Sequence, residues 1–327
     1  MRRAIATDLA AIPGIQVVMT LDKHLKAEPG PWQLVPVGQG DEQSKLLSLA
    51  RTCDAVLVIA PETQGILASR EELVRTGGGH SLGSTPVAIA LATDKLETCR
   101  WLAKHGLPVV PGLRLDPGLP WPTHRPERAV LKPVDGAGSL DTTYLGPDDP
   151  WPTANPPAMP TILQPFLEGT PASLSFLIHP AQGNDPGWIK LMGTATQQMV
   201  RHGNTFSYQG GRIPAVIPTP VIMQLVETLP LWEGLAGWVG IDLIISPDQT
   251  QATILEVNPR LTTSYVGLRR WVKGGGTALA NGLLQSLWPG TPEPTNGHFW
   301  THAQAGVTGI EFQATGHVTV LREGNPR

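Results

Sequence analysis

Ile254-Leu-Glu-Val-Asn-Pro-Arg-Leu-Thr-Thr-Ser264 is the stretch on which the fold turns. It reads as a strand that carries a carboxylate and an amide, stops at a proline, and delivers an arginine. Side chains alternate across a strand, so Glu256 and Asn258 are expected to point one way while Leu255 and Val257 point into a core. Two oxygen ligands about 7 Å apart along one face suit hard divalent cations that bridge phosphates. Arg260 adds a planar cationic fork for developing phosphate charge. A strand with a purely structural role rarely carries three polar residues in this order.

Working outward, residues 241–245 are apolar except for Asp242. A carboxylate facing a core must be paired, hydrogen-bonded or metal-bound, and this one lies a short connection before Glu256, so a metal or a lysine is its expected partner. Val130-Leu-Lys132-Pro-Val-Asp-Gly136-Ala-Gly138-Ser139 places a lysine at the end of an apolar run and then a small glycine loop. The lysine suits phosphate as a point charge, and the loop N–H groups suit it as a nest. No Lys-Ser/Thr follows the glycines, so this is not a Walker A loop, and the dinucleotide fingerprint lacks its third glycine. Asp94 and Glu97 are spaced as a capping box, which puts Lys95 in a first helical turn. The helix dipole favours anions there, so Lys95 either faces an anionic ligand or is simply solvated. In Gln164-Pro-Phe-Leu167 the amide either reads a purine edge between apolar neighbours or is a satisfied buried glutamine. His298 and His302 sit four apart without a matching acid, which argues against zinc. No nucleophile elbow occurs.

The 327 residues allow two domains, and a net charge of −3 with 16% charged residues argues against a nucleic-acid footprint or a basic membrane surface. No apolar run approaches the roughly 20 residues of a membrane span, and Met-Arg-Arg-Ala does not open a signal peptide. Cys53 and Cys99 lie in no motif and read as reduced thiols, which fits a cytoplasmic protein.

Helical spacing over residues 1–13, a short buried strand at 15–19, a helix at 44–50 and an apolar run at 55–60 predict a small α/β unit. The 55–60 run is typical of a parallel strand covered on both faces, and it ends beside Glu62, where such sheets place ligand contacts. Helix 94–105 follows, then strands dominate 160–260, with a last strand near 317–321. The fold class is therefore α/β followed by α+β. The expected divisions are 1–85, then 86–290 in two lobes meeting near 163, then a loop-rich tail at 291–327. Two recognisable strands are few for the first unit, so a further strand upstream of the present start is expected.

Taken in order, Lys95, Lys132-Pro with its glycine loop, Gln164, Asp242 and Glu256-Val-Asn258-Pro-Arg260 resemble the ATP-grasp superfamily of carboxylate–amine ligases over residues 86–290. The resemblance implies a small doubly wound pre-ATP-grasp domain followed by a two-lobed ATP-grasp domain. It implies that Lys95 and Lys132 grip ATP phosphates beneath a loop of Gly136, Gly138 and Ser139, and that Gln164 to Leu167 hold adenine. Asp242, Glu256 and Asn258 would hold Mg2+ or Mn2+, and Arg260 would steady an acyl phosphate. Relatives place a ribose-binding acid a few residues past 164–167; Pro171 and Ala172 stand there, which leaves Glu168. The family's first domain also opens on a strand, whereas this chain opens on a helix.

The strings Val-Ile-Ala-Pro-Glu62-Thr and Asn258-Pro-Arg-Leu-Thr-Thr-Ser-Tyr-Val-Gly-Leu268 are most similar to the branch containing tyramine–glutamate ligase of methanofuran-type cofactor biosynthesis. By charge layout, Glu62 suits a substrate ammonium, while Arg260 with Thr262, Thr263 and Ser264 suits a carboxylate. The expected partners are a small-molecule acid and amine, with no nucleic acid or membrane and with room for a homodimer. A nucleotide-binding sensor or assembly protein without turnover, and a small-molecule kinase, are the alternative readings.

Overall fold

The computed structural model describes residues 1–136, 141–150, 157–287 and 303–322. The chain opens with α1 (Arg2–Ala10), β1 (Val17–Asp22), β2 (Trp32–Val37), α2 (Glu42–Thr52) and α3 (Ile66–Thr76). β1 and β2 pair in parallel and with no other described strand. β1 is half-exposed along most of its length, not the buried strand that its apolar residues suggested. Residues 55–60 form no strand either. Val56 alone bridges Ser81, through backbone bonds of 2.8 Å to His80 and Leu82. The run is apolar for another reason: Leu57 and Ile59 pack against the core of the following unit.

That unit contains α4 (Pro86–Thr93), α5 (Lys95–Lys104), β3 (Leu113–Leu115), β4 (Ala129–Pro133), β5 (Thr143–Leu145), β6 (Thr161–Pro165), β7 (Thr170–His179), β8 (Trp188–His202) and β9 (Thr205–Ile213). After these come α6 (Thr219–Thr228), β10 (Gly237–Ile245), β11 (Ala252–Asn258), α7 (Tyr265–Trp271), α8 (Gly275–Gln285), β12 (Val307–Gln313) and β13 (Val318–Arg322). One antiparallel lobe has the order β3-β6-β4-β5 and the other β11-β10-β7-β8-β9, with β12 and β13 extending the β9 edge. The β8–β9 hairpin joins the lobes into one sheet: Thr143 pairs with Thr205, and the Tyr144 N–H donates to the Asn204 carbonyl at 2.7 Å. Residues 307–313, expected within a loop-rich tail, pair with β9 because alternate residues Ile310 and Phe312 are apolar and buried.

Period-2 alternation sorts the large lobe's side chains. Leu174, Phe176 and Ile178 of β7, with Val239, Ile241 and Leu243 of β10, face a core covered by α4, α5 and α6. The opposite face takes Leu177, Trp238 and the helices α7 and α8. Asp242 belongs to this second face and so lies outside the core that its neighbours form. α1 touches β1 and β2, with Arg2 donating to the Thr20 carbonyl, but it seats its apolar side mainly on the following unit. Its Ile5 and Leu9 join Tyr265, Leu279 and Leu283, and Asp8 accepts from the Tyr265 hydroxyl (2.7 Å) and from two nitrogens of Arg269. Gly276 leaves room for that carboxylate, since a Cβ there would overlap Asp8.

Candidate active site

The antiparallel register of β10 and β11 sets Asp242 opposite Glu256. The register then shifts, because Leu243 pairs with Ile254, so Leu255 is the extra residue of a β-bulge. Ile254 is fully buried in the core, whereas Leu255 and Glu256 both line a cavity of about 490 Å³ between the lobes. The strict alternation expected from the sequence, with Leu255 in the core, fails at that bulge. Lys95, Lys132, Gly136, Gln164, Leu167, Glu168 and Asp242 line the same cavity.

Two lysines and two carboxylates form its charged end. Asp94 accepts from the N–H groups of Leu96 and Glu97 and starts α5, which buries Lys95 in the first turn. The capping box is not reciprocal, because Glu97 pairs with Arg100 instead. Lys95 Nζ lies 3.5 Å from Glu256 Oε2 and also donates to the Gly136 carbonyl. Asp242 accepts from Gln197 Nε2 (2.9 Å) and Asn258 Nδ2 (3.1 Å). Burial, reinforced by the Glu256 charge, pushes Asp242 well above the usual carboxylate range. Burial also opposes ionisation of Glu256, but Lys95 and Lys132 outweigh it and hold Glu256 down to about 2. Burial lowers Lys132, with Glu256 pulling it partly back. Two carboxylates and an amide oxygen match the small donor set that magnesium uses when phosphate oxygens and water complete its shell.

At the other end, Gln164 is 3% exposed and its Nε2 donates to the Val110 carbonyl at 3.0 Å. One N–H of its amide is thus engaged, and the residue also lines the cavity. Glu168, more than half exposed, pairs with Arg128. Arg128 lies 4.9 Å over the Phe166 ring and Arg201 4.5 Å over Tyr144. Gln197, Arg128 and Arg201 were absent from the sequence-derived set. Gln197 and Arg201 share a face of β8, and their period-2 spacing was the available signal.

Arg260 does not itself line the cavity. Its Nε lies 2.8 Å from Glu62 Oε1, close enough for an ion pair but not aligned as a hydrogen bond, and both side chains are largely buried. Arg260 Nη2 also approaches Asn258 Oδ1 at 3.5 Å. Thr262 and Ser264 bond each other at 2.8 Å, Trp238 Nε1 donates to Thr262, and Ser175 bonds Ser264. These two hydroxyls are thus engaged within the fold, while Thr263 is half-buried. Glu62 and 262–264 do not line the cavity. Gly138, Ser139 and the His298/His302 pair lie outside the described residues.

The family model for an ATP-grasp domain matches residues 92–264, and that for a pre ATP-grasp 3 domain matches residues 15–89. The chain is 25% identical over 250 residues to tyramine–L-glutamate ligase of Methanocaldococcus jannaschii, covering 72% of this chain and 66% of the relative. It thus spans just under two thirds of that relative's length. Among solved structures, an ATP-grasp superfamily protein from Archaeoglobus fulgidus superposes with a TM-score of 0.59 at 24% identity, over 87% of this chain and 75% of the other. An L-amino acid ligase from Bacillus licheniformis gives a TM-score of 0.63 at 15% identity, over 86% and 71%.

Proposed function

The chain belongs to the ATP-grasp family, and from that premise we propose that it is an ATP-dependent ligase joining a carboxylate to an amine. The observation that carries the reading is the convergence of Lys95, Lys132, Asp242 and Glu256 in one interlobe cavity, with Asn258 bonded to Asp242 beside them. Lysines at one end of a cleft otherwise lined by Val110, Leu167, Ile244 and Leu255 suit a nucleotide, with phosphates at the cationic end and the base among apolar groups. Asp242, Glu256 and Asn258 would hold magnesium, which when bound would neutralise phosphate charge. Glu256 pairs with Lys95 and offsets part of the burial that lowers Lys132 before the phosphates arrive. Arg128, Glu168 and Phe166 close the base end.

The substrate carboxylate oxygen would attack the γ-phosphorus, breaking its bond to the β-bridging oxygen and giving an acyl phosphate and ADP. An amine then adds to the acyl carbon, the C–O bond to phosphate breaks, and the amine loses a proton. Positioning and charge stabilisation supply most of the rate in such transfers. Arg260 would steady the acyl phosphate, and Glu62 would take a substrate ammonium, so an α-amino acid fits the pair. The relatives named tyramine–L-glutamate ligase support glutamate as acid and tyramine as amine. Incubation with Mg–ATP, glutamate and tyramine should yield ADP and the mass of γ-glutamyltyramine. ADP release that needs a different acid and amine would reassign the substrates, release with an acid alone and a stable phosphorylated product would make the protein a kinase, and nucleotide binding without ADP would make it a sensor.

A further inference from the structure

We propose that Asp135 is a positioning residue that holds the first unit's substrate turn in its working shape, a role resting on the ligase reading above. The turn at 62–65 is unusual on two counts. Gln64 has φ 57° and ψ 24°, and Gly65 after it has φ 69° and ψ 16°. Glycine takes the left-handed region freely, but a residue with a Cβ is disfavoured there, which corresponds to roughly a tenfold shift in population. In addition, α3 begins at this turn with no side-chain cap and no acidic residue in its first turn. The missing acceptor comes from elsewhere in the chain. Asp135, 71 residues on and next to Gly136, accepts the Gln64 N–H through Oδ2 at 3.0 Å. A carboxylate there also faces the positive end of α3.

The bond links the two halves of the candidate site. On one side of Asp135, the Gly136 carbonyl accepts from Lys95. On the other, two residues before Gln64, Glu62 meets Arg260 at 2.8 Å with both carboxylate oxygens buried and without a hydrogen bond. A relaxed Gln64 would swing the Glu62 backbone away from Arg260. Asp135 therefore fixes the acid-substrate side of the site, and the nucleotide side has its own supports in β4 and β11.

Three variants separate this role from a general structural one. Asp135→Asn keeps an acceptor oxygen, Asp135→Ala removes it, and Asp135→Ala with Gln64→Gly removes it while relieving the left-handed penalty. Amide exchange of the peptide spanning 62–65, read on the free full-length chain, should be slow in wild type and Asp135→Asn and faster in Asp135→Ala. With glutamate and tyramine as probes, the KM for glutamate should rise roughly tenfold in Asp135→Ala and return towards wild type when Gln64→Gly is added. Mg–ATP affinity by calorimetry should stay level in all three. Unchanged exchange in Asp135→Ala would refute the tie. Equal losses of ATP and acid binding, or no rescue by glycine, would refute the positioning role. A wild-type chain that binds Mg–ATP but turns over no acid overturns the ligase reading and the acid-positioning claim together, while exchange at Gln64 still decides the tie by itself.

Discussion

Replacing Glu71 by glutamine should stabilise the protein at neutral pH and leave its stability in acid unchanged. Glu71 lies on α3, 1% exposed, where the Ser81 hydroxyl donates to it. The nearest cation, Arg75, is 3.9 Å away and gives its hydrogen bonds to the Gly83 and Ser84 carbonyls. Burial therefore dominates and lifts the carboxyl from 4.5 to about 7, with Ser81 and Arg75 pulling only partly back. The folded chain thus keeps a proton that the unfolded chain releases between these values. Stability is full below the unfolded value and is lost as pH rises through about 7. At about 1.36 kcal/mol per unit, the shift corresponds to roughly 3 kcal/mol. Glutamine has nearly the same shape and does not titrate. Urea unfolding of both proteins should show a gap that opens from about zero near the unfolded value to roughly 3 kcal/mol by about pH 8. Parallel pH curves for the two proteins would mean that Glu71 stays ionised in the fold, and the reasoning from burial would be wrong.

Glu256→Gln removes the anion that faces both lysines, so ADP release should fall by about a hundredfold or more while the thermal transition of the free protein moves little; near-normal turnover would make β11 purely structural. Lys132→Ala should weaken Mg–ATP binding about tenfold to a hundredfold by calorimetry, and unchanged affinity would place the nucleotide elsewhere. Because burial lowers Lys132, the wild-type affinity should fall as pH rises through a value below lysine's ordinary range, whereas Lys132→Arg should hold its affinity there. Gly276→Ala pushes a methyl group into Asp8 and should destabilise the protein by about 3 kcal/mol, the lower range for breaking a buried ion pair. An unshifted unfolding midpoint would show that α1 docks through its apolar face alone.

The strand at 252–258 was legible because polar residues at period two inside an apolar run leave few alternatives. Asp242 stood out in the same way, Lys132 as the cation ending an apolar run before a glycine loop, and Lys95 by its place in a capped first helical turn, and with Glu256 they meet in one cavity. The bulge at Leu255 was not legible, since a register shift belongs to the pairing of two strands and neither sequence alone records it. Residues 55–60 carry the composition of a buried strand, yet β1 and β2 pair only with each other, and packing against another unit gives the same composition as pairing within a sheet. Arg128 and Arg201 escaped notice because their partners, Phe166 just past β6 and Tyr144 on β5, are distant in the chain. Gln164 was read with two outcomes, and it carries a feature of each: Nε2 donates to the Val110 carbonyl while the side chain lines the cavity.

The seat of α1 has a consequence for how the chain is made. Asp8 and Arg269 are 261 residues apart, and Ile5 packs beside Leu279 and Leu283. At about 5–20 residues per second, synthesis separates the two by roughly 13–50 s. A helix of nine residues does not persist alone in water, so this segment waits with much of its apolar side uncovered. β1 and β2 follow at once and touch it, but its main apolar and ionic partners arrive only when α7 and α8 emerge. Residues 2–10 are therefore among the last of these elements to settle, and they seal the body that α7 and α8 help to build.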